Sequence, residues 1–254
     1  MAEPLLQIEG LSKAFGAVVA CDDVTLALPA GELHAVIGPN GAGKTTLLGQ
    51  LAGELRPDAG RIRFAGEDIT SLPAHARALR GLARSFQITS LFPRFTALEN
   101  VALAVQAQAG HSFRFWRPAA REAALSEPAA AILDQIGLSG RAAVPAAALA
   151  HGEQRQLEIA MALAARPRLL LLDEPTAGMG REDSRAMVEM LAGLKAEGGI
   201  TILLIEHDMD AVFTLADRIT VLVYGRVLAS GAPAEIRANA EVRSAYLGEA
   251  EEAN

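Results

Sequence analysis

The stretch Gly38-Pro39-Asn40-Gly41-Ala42-Gly43-Lys44-Thr45, with Thr46 directly after it, decides how the rest of the chain is interpreted. It fits the pattern G-x-x-x-x-G-K-[ST]. In such a loop, consecutive backbone N–H groups curl round phosphates, and the glycines adopt backbone angles that a Cβ would hinder. We expect Lys44 to bring a point charge to the β- and γ-phosphates and the Thr45 hydroxyl to ligate Mg²⁺. The whole segment is therefore predicted to bind ATP together with Mg²⁺.

Short apolar runs alternate with helical patterns on both sides of this loop. His34-Ala35-Val36-Ile37 leads into the loop, and a helix is predicted over Lys44–Leu55, with the positive end of its dipole at the phosphates. Alternating apolar and polar residues over Leu5–Leu28 predict an antiparallel edge sheet. Further patterns are typical of buried parallel strands joined by helices, the strands being Leu169–Leu172, Thr201–Ile205 and Ile219–Val223 and the helices Arg181–Ala196 and Met209–Leu215. The order predicts an α/β fold of the P-loop nucleoside-triphosphatase class.

The middle of the chain has a different pattern. From about residue 88 to 165 the sequence lacks a convincing strand and shows alanine-rich helical patterns over Thr96–Gln108, Ala119–Ile136 and Glu153–Ala165. The aromatic and basic stretch Phe113–Trp116 is expected to be a loop packed on these helices. We therefore expect one domain over 1–254, with a core and β subdomain in 1–87 and 166–230, an inserted helical subdomain in 88–165 and a tail in 231–254.

Composition narrows the possible functions. The formal charge of −7 disfavours a nucleic-acid footprint, which needs a basic surface to neutralise phosphates. The single cysteine, Cys21, excludes an internal disulfide and agrees with a reducing compartment. The start Met1–Pro4 lacks the basic and apolar pattern of a signal peptide, and the apolar runs are far shorter than the ~20 residues of a membrane span. We expect a cytoplasmic protein that reaches a membrane only through a partner.

A second motif follows the predicted strand Leu169–Leu172. Asp173 and Glu174 come at the carboxyl end of this strand, where α/β sheets bind their ligands. Asp173 is expected to hold the Mg²⁺ shell, and Glu174 is placed to polarise the attacking water as general base. A strand that ends in a solvated acidic turn is the alternative explanation, which the phosphate loop makes the weaker one.

Three further segments, in the same order along the chain, resemble the ATPase subunits of ABC transporters. Gln87 matches the glutamine that reaches Mg²⁺ and water, His207 matches the switch histidine at the γ-phosphate, and Phe15 resembles the aromatic residue that stacks on adenine. Leu149-Ala150-His151-Gly152-Glu153-Gln154 stands where this family has its signature loop. The resemblance covers nearly the whole chain. It implies catalytic roles for Glu174, His207 and Gln87, and metal roles for Thr45, Gln87 and Asp173.

The resemblance also implies a dimer. The signature loop is expected to begin the helix Glu153–Ala165 and to bind the γ-phosphate held by a second ATPase subunit, identical or different. Ala150 replaces the usual serine, His151 the first glycine and Glu153 the usual glutamine, whereas Gly152 is kept. The run Ala177-Gly178-Met179-Gly180 departs from the usual Ser-Ala-Leu-Asp. A degenerate site is the alternative explanation of these changes. Because the phosphate-loop, carboxylate, glutamine and histidine residues all remain, we expect an active ATPase.

The chain resembles one branch of the family in these departures, in the segment Ala83–Gln87 and in the ending Val242–Gly248. That branch serves uptake of branched-chain amino acids and, in near relatives, urea and short amides. The resemblance implies membrane permease subunits, a periplasmic solute-binding protein and a peripheral position on the cytoplasmic face of the inner membrane. The ATPase of the lipopolysaccharide exporter, which shares the style of Leu72–Arg77, is the alternative within transport. A soluble ABC ATPase and a P-loop kinase are alternatives outside it, disfavoured by the single phosphate loop and by the signature segment respectively.

Overall fold

A computed structural model describes residues 3–85, 91–108 and 123–247 of the chain. The predictions for Gln87, for the aromatic stretch Phe113–Trp116 and for the acidic end of the tail lie outside these residues. Among the described residues, no helix is both long and apolar enough to cross a bilayer.

The larger sheet is parallel except at one edge. Its order is β10-β9-β3-β8-β7-β6, and β10 is antiparallel to β9. The expected strands are present in this sheet, and β6 and β10 join them although no sequence pattern singled them out. The bounds are β3 Leu33–Ile37, β6 Leu82–Arg84, β7 Leu169–Asp173, β8 Thr201–Ile205, β9 Arg218–Val223 and β10 Arg226–Gly231.

A smaller antiparallel sheet has the order β2-β1-β4-β5. The alternation over Leu5–Leu28 correctly predicted its first hairpin, and β4 with β5 was missed because charged residues interrupt the apolar pattern there. Its strands are β1 Leu6–Phe15, β2 Val18–Leu28, β4 Ala59–Phe64 and β5 Glu67–Asp68. The mixed α/β fold class is thus confirmed.

The predicted helices are present with shifted ends, and three short helices, α2, α8 and α9, were not predicted. The helix after the phosphate loop stops at Ala52, not Leu55, because Gly53 adopts a left-handed C-cap with φ 80°. The signature helix begins at His151, two residues before its predicted start. The helices are α1 Lys44–Ala52, α2 Ala74–Ala78, α3 Ala97–Gln108, α4 Ala123–Gln135, α5 His151–Ala164, α6 Arg181–Glu197, α7 Met209–Leu215, α8 Pro233–Ala238 and α9 Ala240–Val242.

Apolar side chains cover both faces of the larger sheet. On β7, Leu170 and Leu172 belong to the cluster that includes helices α3–α6, whereas Leu169 and Leu171 belong to the cluster shared with α1 and the antiparallel sheet. Successive strand residues point to opposite faces, so a continuous apolar run is what a doubly covered strand requires. This burial holds the carboxyl end of β7 rigidly in place.

The side chain of Arg77, on α2, stabilises the C-terminal end of α1. Its guanidinium is buried and donates to the carbonyls of Gln50 and Leu51 at 2.7 Å each and to that of Leu72 at 2.9 Å. Burial lowers the pKa of Arg77 to about 10. These bonds satisfy carbonyls that the last turn of a helix leaves free. Arg77 thereby fixes the helix whose other end begins at the phosphate loop.

Candidate nucleotide site

The phosphate loop joins β3 to α1 in a conformation that only glycine tolerates. Gly43 has φ 99°, and a Cβ on it would lie 2.0 Å from the carbonyl oxygen of Ala20. A Cβ on Gly38 would meet the carbonyl oxygen of Leu222 at the same distance. Strands β2 and β9 therefore press directly against the loop. This close approach explains why both ends of the motif are glycine.

Lys44 is held across the loop. Its Nζ donates to the carbonyls of Gly38 at 2.6 Å and Pro39 at 3.0 Å, and the residue is 5% exposed. Burial lowers the pKa of Lys44, and the nearby charges of Glu174 and Asp173 oppose that shift. The ammonium thus lies between the loop and the two carboxylates that the sequence singled out.

A cavity of ≈ 320 Å³ opens beside the loop. Val18 and Val19 on β2 form its apolar wall, and Glu174 also lines it. Phe15 pairs with Val18 across the hairpin and is 49% exposed, with Lys13 Nζ 5.5 Å from its ring centroid. Phe15 stands next to this wall without lining the cavity. The loop residues that line the cavity are Asn40, Gly41, Ala42, Gly43, Lys44, Thr45 and Thr46.

Strand order brings the two carboxylates to the loop. β8 pairs with both β3 and β7, so the loop after β3 and the residues after β7 and β8 meet at one edge of the sheet. The Asp173 side chain is 1% exposed, and its Oδ2 accepts from Arg84 Nη2 at 2.9 Å. Its Oδ1 has no hydrogen-bond partner among the described residues. Burial raises the pKa of Asp173, and the positive charge of Arg84 limits that shift.

Glu174 turns out of the sheet towards His207. Its φ of 50° is left-handed, and its N–H donates to the carbonyl of Ile205 at 2.8 Å. Oε1 of Glu174 lies 2.5 Å from Nε2 of His207. A non-glycine residue in this region is uncommon and concentrates at functional sites. Glu174 and His207, which the sequence placed in two separate motifs, are therefore in direct contact in the structure.

Glu206 is a site residue that the sequence reasoning missed. It is buried, and its Oε1 accepts from the N–H and hydroxyl of Thr176 at 2.9 and 2.7 Å. Its Oε2 accepts from the N–H of His207 at 3.0 Å. One carboxylate thus ties the turn after β7 to the turn after β8. Its position directly after a buried strand, as for Glu174, was the available signal.

The signature segment lies away from the cavity beside the phosphate loop. Ala150 is the extended N-cap of α5, and its N–H donates to Glu153 Oε2 at 2.9 Å. Glu153 also accepts from Arg141 Nε at 2.6 Å. Burial opposes ionisation, yet the Ala150 amide and the Arg141 guanidinium lower the pKa of Glu153 overall. Glu153 thus has a local partner for each of its oxygens.

Gly152 and His151 complete this segment. A Cβ on Gly152 would lie 3.1 Å from the side chain of Asp183, so α5 packs closely on the start of α6. His151 is exposed at the first turn of α5. Gly152 and Glu153 line a different cavity from the one beside the phosphate loop of the same chain. This separation agrees with a site completed by a second subunit.

The fold and the site define a P-loop ATPase: a phosphate loop between β3 and α1, an aspartate that ends β7 with a glutamate directly after it, and a histidine after β8. Comparisons with known proteins agree. A family model for the ABC transporter matches residues 21–177, and one for the branched-chain amino acid ATP-binding cassette transporter matches residues 226–252. The chain belongs to the ATP-binding subunits of ABC transporters, which bind and hydrolyse ATP. The resemblance found in the sequence is confirmed.

Individual relatives cover nearly the full length. The high-affinity branched-chain amino acid transport ATP-binding protein BraF of Pseudomonas aeruginosa is 42% identical over 98% of this chain and 100% of its own. The ADP conformation of MJ1267, an ATP-binding cassette of an ABC transporter, has a TM-score of 0.84 and 30% identity over 97% of this chain and 100% of its own. A dimeric post-hydrolysis state of the cassette MJ0796, bound to ADP and Pi, has a TM-score of 0.74 and 25% identity over 90% and 98%.

Proposed function

We propose that this chain is the ATP-hydrolysing subunit of an importer for branched-chain amino acids. The match of residues 226–252 to the family model for that class, together with the likeness to BraF, supports the class of solute. The 2.5 Å contact between Glu174 and His207 beside the phosphate loop carries the proposal of hydrolysis.

The nucleotide lies along the phosphate loop. Residues 38–46 bind the phosphates through loop amides and the first turn of α1, and Lys44 supplies a positive charge. Phe15 stacks on the base, supported by its exposed ring at the edge of the wall formed by Val18 and Val19. The Phe15 residue is 49% exposed, so its ring is available for stacking.

Thr45, Asp173 and Gln87 hold Mg²⁺. The free, buried Oδ1 of Asp173 fits this role, because a hard cation prefers carboxylate, hydroxyl and amide oxygens. When bound, Mg²⁺ neutralises charge on the β- and γ-phosphates. The contribution of this chain is to present one aspartate oxygen from a rigid strand end.

Glu174 acts as general base, and His207 fixes it. The imidazole holds one carboxylate oxygen of Glu174, so the other is left to orient the attacking water. His207 itself is anchored through its N–H by Glu206 and is half-exposed towards the site. The family resemblance gives Gln87, which lies outside the described residues, a catalytic role as well.

A second ATPase subunit, identical or different, completes each site. Residues Ala150, His151, Gly152 and Glu153 face the nucleotide of that partner, and the N-terminus of α5 contributes its amides and dipole. Support comes from the separation of this segment from the loop of its own chain and from the likeness to the dimeric cassette.

Membrane permease subunits bind a different surface. An apolar groove of ≈ 370 Å³ lies between the α1 end, α2, β6, α3 and α5, and its walls include Ala52, Leu82 and Met161. A cytoplasmic segment of a permease, with an apolar face, matches this lining. The chain is then peripheral on the cytoplasmic side of the inner membrane, and a periplasmic solute-binding protein delivers the amino acid to the permease.

Reconstitution with the neighbouring permease pair and binding protein tests the proposal. Leucine, isoleucine or valine should stimulate ATP hydrolysis and enter proteoliposomes, and Lys44→Ala should abolish both. Urea and acetamide serve as competing solutes. Stimulation by an amide but not by leucine would overturn the solute class, and absence of hydrolysis in the complete complex would overturn the ATPase assignment.

A further inference from the structure

Arg84 makes a contact that the proposed roles leave unexplained. It ends β6, which runs parallel to β7 with Arg84 opposite Leu171. The guanidinium reaches past the strand end and donates through Nη2 to Asp173 Oδ2 at 2.9 Å. The Arg84 side chain is 10% exposed, so this ion pair is largely shielded from water.

A second carboxylate holds the other arm of the same guanidinium. Arg84 Nη1 bonds to Glu54 Oε2, and Glu54 follows the glycine cap that ends α1. Glu54 is partly exposed, and both Glu54 and Arg84 line the apolar groove. A planar fork with fixed donors can hold two carboxylates at once in a defined geometry.

The two carboxylate oxygens of Asp173 have different surroundings. Oδ2 is held by Arg84, whereas Oδ1 has no partner among the described residues. A buried carboxylate with one oxygen fixed cannot rotate freely, and partners of this kind orient metal ligands. We propose that Arg84 is a positioning residue for Asp173, which fixes Oδ2 so that Oδ1 is presented to Mg²⁺.

This inference rests on the proposed ATP and Mg²⁺ site. The inference is tested by the gain in ADP affinity that Mg²⁺ produces. Calorimetry on the full chain measures the ADP affinity once in EDTA and once in Mg²⁺. Arg84→Gln should leave ADP affinity in EDTA within about twofold and reduce the Mg²⁺-dependent gain by about tenfold or more, the usual cost of losing a partner that orients a metal ligand.

Two further variants separate positioning from folding. Arg84→Lys keeps a charge without the fork and should restore part of the gain. Glu54→Gln removes only the exposed anchor of Arg84 and should reduce the gain by about two- to threefold, since the ion pair with Asp173 remains. Arg80→Gln, on an exposed arginine paired with Glu67, is the matched control and should match the wild type.

The results that would contradict the positioning role differ from the result that would contradict the nucleotide site. A wild-type gain in Arg84→Gln, or equal losses in EDTA and in Mg²⁺, would overturn the positioning role. If Arg84→Gln fails to fold, an unchanged gain in both Arg84→Lys and Glu54→Gln would overturn it. Absence of any Mg²⁺-dependent gain in the wild type would instead overturn the proposed site itself.

Discussion

The imidazole Nε2 of His207 lies 2.5 Å from Oε1 of Glu174. The two residues follow neighbouring strands, β7 and β8, and Glu174 adopts a left-handed backbone to reach this contact. Glu206, directly before His207, fixes the second turn through Thr176. The contact between Glu174 and His207 therefore depends on how the ends of β7 and β8 are held together.

Glu174→Gln should separate nucleotide binding from turnover. The amide keeps the shape of the side chain but accepts a proton poorly, so hydrolysis should fall by about 10²–10⁴-fold while ATP binding persists. The variant should accumulate an ATP-bound dimer in size-exclusion chromatography. Glu189→Gln, on an exposed glutamate of α6, is the matched control. Normal turnover in a Glu174→Gln protein that stays monomeric at saturating ATP would refute the general-base role.

Lys44→Ala should weaken ATP binding severely. Removing a buried charge that contacts a phosphate typically costs about 2–5 kcal/mol, which corresponds to a loss of about 30-fold or more. Titration with a fluorescent ATP analogue measures the affinity. Lys195→Ala removes a lysine paired with Asp217, outside the cavity, and should bind ATP as the wild type does. Equal affinity in Lys44→Ala would refute the phosphate-loop assignment.

Glu206→Gln should lower both stability and turnover. The amide oxygen replaces the acceptor for Thr176, but the amide NH₂ then faces the N–H of His207, which loses its acceptor. An unsatisfied buried group costs about 1–3 kcal/mol, measurable by urea unfolding. Thr176→Val should lose about 1 kcal/mol, and Thr176→Ser should lose less because it keeps the hydroxyl. Wild-type stability in Glu206→Gln would show that the carboxylate is not needed.

Ala150→Ser should stabilise α5. Ala150 is extended at the N-cap, with φ −62° and ψ 158°, and its side chain accepts nothing. A serine hydroxyl there accepts from a free N–H of the first turn and adds about 0.5–2 kcal/mol to the free energy of unfolding. Ala147→Ser, in the exposed turn before the helix, is the control. Unchanged stability would contradict the capping role of the serine hydroxyl. Unchanged turnover of the dimer would show that the hydroxyl is dispensable for hydrolysis.

Cys21 should resist thiol reagents until the protein unfolds. The side chain is buried, and its pKa is raised to about 11, mainly by burial. At pH 8 only about 0.1% of it is thiolate, whereas a free cysteine, with pKa about 8.5, is about one quarter thiolate. Reaction with a chromogenic disulfide should be slow in the folded protein and fast in urea. Fast labelling of the native chain would show that β2 opens next to Gly43, whose carbonyl Cys21 approaches.

Local sequence patterns predicted the parts of the molecule that local chemistry specifies. The strand β7 could be predicted because burial on both faces of the sheet requires a continuous apolar run. The motif at 38–46 could be predicted because phosphate binding requires particular residues at fixed spacing. The helix ends were less accurate. Gly53 stops α1 early through a left-handed cap, and the sequence alone did not single out that glycine.

Only the tertiary structure decided which of these residues touch. The pairs Glu174–His207 and Arg84–Asp173 are 33 and 89 residues apart in sequence. They meet because β7 lies between β6 and β8, an order set by packing across the whole sheet and not by any local run. The sequence by itself determined the motif at residues 38–46, which predicts that a nucleotide phosphate binds there. The order of the strands decided which side chains surround that phosphate, since contacts between distant segments depend on the fold as a whole.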